Sequence, residues 1–194
     1  MSNKLLGILA LVGAPWLYLG FSLETLYPHL AEGWFTGVWG LLYISGWFCS
    51  VVVLHRLEVT GTNMFGKNIL RVLMVTLVLA NLSNLYQVIS PNKSVLFWVL
   101  DAFWPISNLV MLVVGLTVGA TKKLAGWVRF VPLLVGLWVP LAMLTRLLPV
   151  GIPLPGNIVG LYSAFAWSLL AMVVLTTAPQ KPNPARHPAQ PLPA

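Results

Sequence analysis

The sequence predicts an all-α integral membrane bundle of six transmembrane helices, with both termini cytoplasmic, short loops and a disordered proline-rich C-terminal tail. Three observations carry this expectation. Six apolar runs, at 5–26, 34–54, 69–90, 95–119, 125–147 and 157–177, are each long enough for a bilayer core, which takes about 20 residues. Only 8% of the 194 residues are charged and 58% are apolar, with mean hydropathy +0.87, whereas a soluble domain is about a quarter charged. Finally, nine of the eleven Lys and Arg residues fall in alternate gaps. They are Lys4; Arg56, Lys67 and Arg71; Lys122, Lys123 and Arg129; and Lys181 and Arg186. Lys93 and Arg146 lie on the other side. Translocation disfavours positive loops, so the rich side is predicted to be cytoplasmic.

Taken in order, the first run has the length of the others and no small-residue cleavage site, so it reads as a retained span rather than a signal peptide. The second gap, with Gly61, Asn63 and Gly66, reads as a polar cytoplasmic loop. Pro28, Pro91, Pro149, Pro153 and Pro155 mark the outer connections, and Lys122 and Lys123 mark a tight cytoplasmic turn. From Ala178 onward six of seventeen residues are proline, which fixes its own φ and donates no hydrogen bond. The predicted organisation is one six-helix domain over 1–178 and a disordered tail over 179–194. Leu11-Val12-Gly13 recurs as Leu134-Val135-Gly136, and Gly33-x-x-x-Gly37 recurs as Gly156-x-x-x-Gly160. The equal offset raises the idea of a duplicated hairpin pairing spans 1–2 with spans 5–6.

The net charge of +7 would point to nucleic acid in a soluble protein. Here topology accounts for it, and no nucleic-acid partner is expected. The single cysteine, Cys49, excludes an internal disulfide and reads as a small buried hydrophobe. His29, His55 and His187 share no helix and no ligand spacing. No HExxH motif, bis-histidine haem pattern or GxxxxGK[ST] loop occurs, so no metal, cofactor or catalytic residue is expected. Asn92-Lys93-Ser94 spells a glycosylation sequon but falls in a short turn against the membrane.

Chemistry is expected inside the bundle. Asn81, Asn84 and Gln87 recur at spacings of three on the third span. Asp101 and Asn108 share a face of the fourth. Counted from the turn near Asn92, Asp101 and Asn84 lie level, roughly 10 Å below it. A carboxylate at that depth costs a few kcal/mol on insertion scales, so it faces the bundle with partners. Pro105 cannot donate to the Asp101 carbonyl, which opens the helix at its one acid. Two readings follow: a packing knot that sets helix register, or a ligand or ion path through Asp101, Asn84, Asn81, Gln87 and Asn108. Arg146 is a candidate partner for Asp101 or Glu24, or a snorkelling cation.

Trp34, Trp98, Trp127, Tyr27 and Tyr86 suit the interfacial belt. Trp16, Trp104, Trp138 and Trp167 lie deeper, and the first three neighbour prolines. They read either as filler at kinks or, for Trp16, Trp104 and Trp138, as the wall of an aromatic cavity. Ridges at Gly33/Gly37/Gly40, Gly115/Gly119 and Gly156/Gly160 permit close helix packing, within one chain or between copies. The expected function is that of a small polytopic plasma-membrane protein, the bacterial inner membrane being the setting. It is expected to be non-enzymatic, with membrane lipids as partners. It would bind a lipid-like or hydrophobic ligand or assist a membrane complex. The alternative is a small transporter or channel subunit that uses the Asp/Asn cluster.

Overall fold

In the computed structural model, residues 1–90, 92–147 and 158–177 are described, Arg146 and Leu147 in backbone only. Among them are nine α-helices and no strand: α1 (Asn3–Gly13), α2 (Trp16–Leu26), α3 (Trp34–Arg56), α4 (Met64–Ile89), α5 (Val95–Asp101), α6 (Phe103–Thr121), α7 (Val131–Gly136), α8 (Trp138–Leu147) and α9 (Ile158–Thr176). Five continuous or slightly bent units are long and apolar enough to cross a membrane: α1–α2, α3, α4, α5–α6 and α9. The 3₁₀ turn Gly126–Phe130 with α7 and α8, bent by 49°, makes a sixth if the bent pair is taken as one span. The proline-rich tail and the Gly156 end of the Gly156/Gly160 ridge lie outside the described residues.

Proline places all three breaks. Pro105 cannot donate to the carbonyl of Asp101, and α5 ends at Asp101. In the same way Pro140 leaves the carbonyl of Gly136, and α7 ends there. Pro15 separates α1 from α2. Side chains also fix several starts. Ser2 Oγ accepts from Leu5 N–H at 3.2 Å, and Asn63 Oδ1 accepts from Gly66 N–H at 2.8 Å. The second cap corrects the expected loop: the third span begins at Met64, five residues before 69, because Asn63 is a helix cap rather than a loop residue.

Around the bundle the neighbours run α3, α4, α6, α7, α9, α1 and back to α3. Val51, Val53, Leu54, Leu70, Leu73, Leu77, Met111, Val114 and Val118 form a solid core. Exposed apolar side chains cover the outside, including Val72, Val75, Leu82 and Leu85 on α4, Leu109 and Leu116 on α6, and Leu161 and Phe165 on α9. An apolar exterior around an apolar core is the pattern of a multi-pass membrane protein.

Glycines let the backbones meet. A Cβ on Gly13 would stand 2.7 Å from Gly46 Cα, and one on Gly37 would stand 2.6 Å from the Asn84 carbonyl oxygen. The Gly37 part of the α3 ridge is therefore spent against α4 within the chain. The repeated motifs take different partners. Gly13 packs on α3, the next span of its own hairpin, whereas Gly136 packs back onto Leu112 of α6. At this pair of glycines the two hairpins pack differently, although each motif ends a helix at its glycine.

Candidate functional site

The first four spans leave a space between them toward the end of the bundle that carries the α2–α3 and α4–α5 turns. They enclose a cavity of about 370 Å³, within the ~300–1,000 Å³ range of small-molecule sites. From α2 come Leu17, Phe21 and Glu24, and from α3 Thr36, Trp39, Gly40, Tyr43 and Ile44. Helix α4 supplies Ser83, Asn84 and Gln87, and α5–α6 supply Phe97, Trp98, Asp101 and Trp104. Glu32 and Lys93 stand at its mouth in the two turns.

Helical periodicity explains the α3 wall. Thr36, Gly40, Tyr43 and Ile44 fall three or four residues apart and share one face. Trp39, adjoining that face, lies flat over Gly20 of α2, where a Cβ would collide with the indole. From this seat the indole Nε1–H donates to Glu24 Oε1 at 2.9 Å, and the Thr36 hydroxyl donates to the same oxygen. A carboxylate inside an apolar wall is thus held by two donors. On the opposite wall Asp101 faces the Ser83 hydroxyl and the Lys93 ammonium. At the mouth Lys93 Nζ lies 3.3 Å from a Glu32 oxygen, 5.9 Å from the Phe97 ring centre and 5.6 Å from that of Trp98.

The floor is aromatic. Trp104 meets Trp138 in a tilted contact with ring centres 5.2 Å apart, Trp138 meets Trp167 at 6.5 Å, and Trp167 touches both Tyr43 and Trp47. Tyr43 is 1% exposed, and its hydroxyl lies beside the Trp104 indole N–H. The two groups face each other, but neither the Tyr43 Oη nor the Trp104 Nε1 makes a hydrogen bond of good geometry. Such orphaned groups are costly when buried. Beneath them Val51, Leu73, Leu77, Met111 and Val114 close the bundle, with one polar tie from Ser107 Oγ to Thr76 Oγ1 at 2.9 Å.

Among the residues singled out by sequence, Asp101, Asn84, Gln87 and Trp104 line the cavity. Asn81 lies outside that lining and donates to Ser45 at 2.9 Å. Asn108 is fully buried and donates to the Trp104 carbonyl at 3.0 Å, below the cavity. Trp138 packs behind Trp104 and donates to the Val159 carbonyl at 3.3 Å, and Trp16 packs half-buried against the core. Pairing of Arg146 with Asp101 or Glu24 falls outside the described side chains. Sequence reasoning missed Glu24 as a wall residue, along with Thr36, Trp39 and Tyr43. The available signal was the three- and four-residue spacing of Thr36, Trp39 and Tyr43 opposite the acid of α5. Comparison with family models, curated proteins and solved structures finds no match for this chain.

Proposed function

We propose that this protein is a non-enzymatic, multi-pass membrane protein that binds one amphiphilic ligand in the cavity between its first four spans. One observation carries the reading: a cavity of ligand size has carboxylates and orphaned donors inside an aromatic wall. An amphiphile satisfies both surfaces at once. Its polar group meets Glu24, Asp101 and Tyr43, and its apolar body lies along Phe21, Trp39, Phe97 and Trp104.

The charge bias supports an orientation with both termini in the cytoplasm. In a bacterial inner membrane the cavity would then open outward. A reporter fused to the carboxyl end tests this, and a signal from the external face would overturn it.

Transport is a second reading, favoured by the proline breaks in three spans, since discontinuous helices often surround transported substrates. Binding is preferred because the layer beneath Tyr43 and Trp104 is solidly packed. Native mass spectrometry of the protein taken from its membrane tests the preferred reading. One retained amphiphile per chain is expected, and it should be absent from the cavity-filling variant Thr36→Trp. Equal retention by both proteins would place the amphiphile elsewhere and defeat the reading.

A further inference from the structure

We propose that the ligand is an organic cation, an amine or quaternary ammonium group carried on an apolar body, and that Lys93 is its built-in competitor. The inference rests on the binding role above and names the class of ligand that fills the site.

Charge balance is the first argument. The cavity is lined by Glu24, Glu32 and Asp101 against one ammonium, that of Lys93, in a protein whose net charge is +7. The ion pair described within it joins Lys93 to Glu32 at the mouth. Deeper in, neither Glu24 nor Asp101 has a cation at ion-pair distance among the described residues, and Asp101 senses Lys93 only at longer range. Carboxylates in an apolar setting are stabilised by a nearby cation, and these two face space where one fits.

The second argument is the wall. Aromatic faces attract cations, most strongly where water is excluded. The chain itself demonstrates this: the Lys93 ammonium already sits over Phe97 and Trp98. Trp39 and Trp104 extend the aromatic surface inward from those rings toward Glu24 and Asp101. The third argument is Tyr43, whose hydroxyl is almost wholly buried, has only the poorly aligned Trp104 N–H beside it and belongs to the cavity floor. Its oxygen offers a lone pair to an ammonium N–H or a methyl group polarised by the adjacent charge.

Lys93 is tethered in the α4–α5 turn and reaches only the mouth. An incoming cation must pass Glu32, Phe97 and Trp98, which Lys93 occupies. Removing the Lys93 charge should therefore strengthen binding, whereas removing the Asp101 charge should weaken it.

The test uses the full chain in uncharged maltoside detergent, read by its own tryptophan fluorescence, since Trp39, Trp98 and Trp104 line the cavity. Three probes of similar shape are titrated: benzyltrimethylammonium, its neutral carbon isostere neopentylbenzene, and benzoate. Saturable quenching by the cation is expected at concentrations at least about tenfold below those of the other two. Asp101→Asn should weaken cation binding about tenfold, and Lys93→Ala should tighten it several-fold. Lys93 lies in a turn, so its variant keeps the test valid if the buried substitution unfolds the protein. Equal binding of all three probes would overturn the cationic class while leaving the cavity reading intact. Tighter benzoate binding, or weaker cation binding by Lys93→Ala, would reverse the assignment of charge. Saturable neopentylbenzene binding without cation binding would likewise overturn the cation and keep the cavity, whereas no quenching by any probe would defeat both. Phosphatidylcholine added to the micelles separates the two sources of a quaternary ammonium. Displacement of the probe assigns the site to a lipid headgroup, and undisturbed probe binding assigns it to a free cation.

Discussion

The two ends of the bundle are built from the same helices and packed in opposite ways. Toward the terminus of α3 at Arg56 and the start of α4, Val51, Val53, Leu54, Leu70 and Leu73 are fully buried and apolar. Toward the other end the same two helices present Thr36, Tyr43, Ser83, Asn84 and Gln87 to a cavity. The difference lies in side-chain choice rather than in helix spacing alone. At Gly37 and Gly40 the α3 backbone still meets Asn84 of α4 directly, so the helices stay in contact beside the hollow. Helix packing in lipid comes from van der Waals fit, because lipid solvates an apolar face as well as a neighbouring helix does. The solid end supplies that fit. The hollow end forgoes part of it and carries polar groups that a purely structural bundle would omit.

Substitutions can break the contrast or sharpen it. The largest effect is expected where two helix backbones meet at glycine. Gly46→Leu pushes a side chain into the backbone of α1 at Gly13 and should cost about 3 kcal/mol or more, with thermal unfolding in detergent well below that of the parent. Next, Leu73→Ala in the solid half should cost about 2 kcal/mol, mainly through the void it leaves. At the cavity wall Glu24→Gln retains the shape and weakens the bonds from Thr36 and Trp39, for a loss of about 1 kcal/mol. The smallest change in stability, under about 0.5 kcal/mol, is expected for Trp98→Ala, which is more than half exposed at the mouth. A Leu73→Ala protein as stable as the Trp98→Ala protein would erase the distinction between the two ends.

The fold is largely legible in the sequence because lipid imposes a simple rule: an apolar run of about 20 residues spans. The breaks are legible too, since Pro105 and Pro140 each free a carbonyl at the residue where a helix ends. Helix starts are less so. Asn63 looks like a loop residue until its side chain is seen closing the first turn of α4. At the site, depth counting puts Asp101 and Asn84 on one level, and the structure has both at the cavity wall. Counting could not show which way each face turns. Asn81 and Asn108 obey the same spacing as their neighbours yet lie outside the cavity, toward Ser45 and toward the Trp104 carbonyl. Glu24 was hidden by position: an acid at the end of a span looks solvated until Trp39 folds over Gly20 to reach it. Long-range packing set that contact, and local pattern does not encode it.

Thiol accessibility tests the central claim most directly. With the native Cys49 replaced by Ala, Thr36→Cys places a thiol on the cavity wall and Leu73→Cys places one in the solid half. Exposure to a small charged thiol reagent should modify the first quickly, with protection by bound ligand, and leave the second unmodified until the protein unfolds. Equal modification rates at both positions would contradict a bundle with a ligand-sized hollow at one end and a packed core around Leu73.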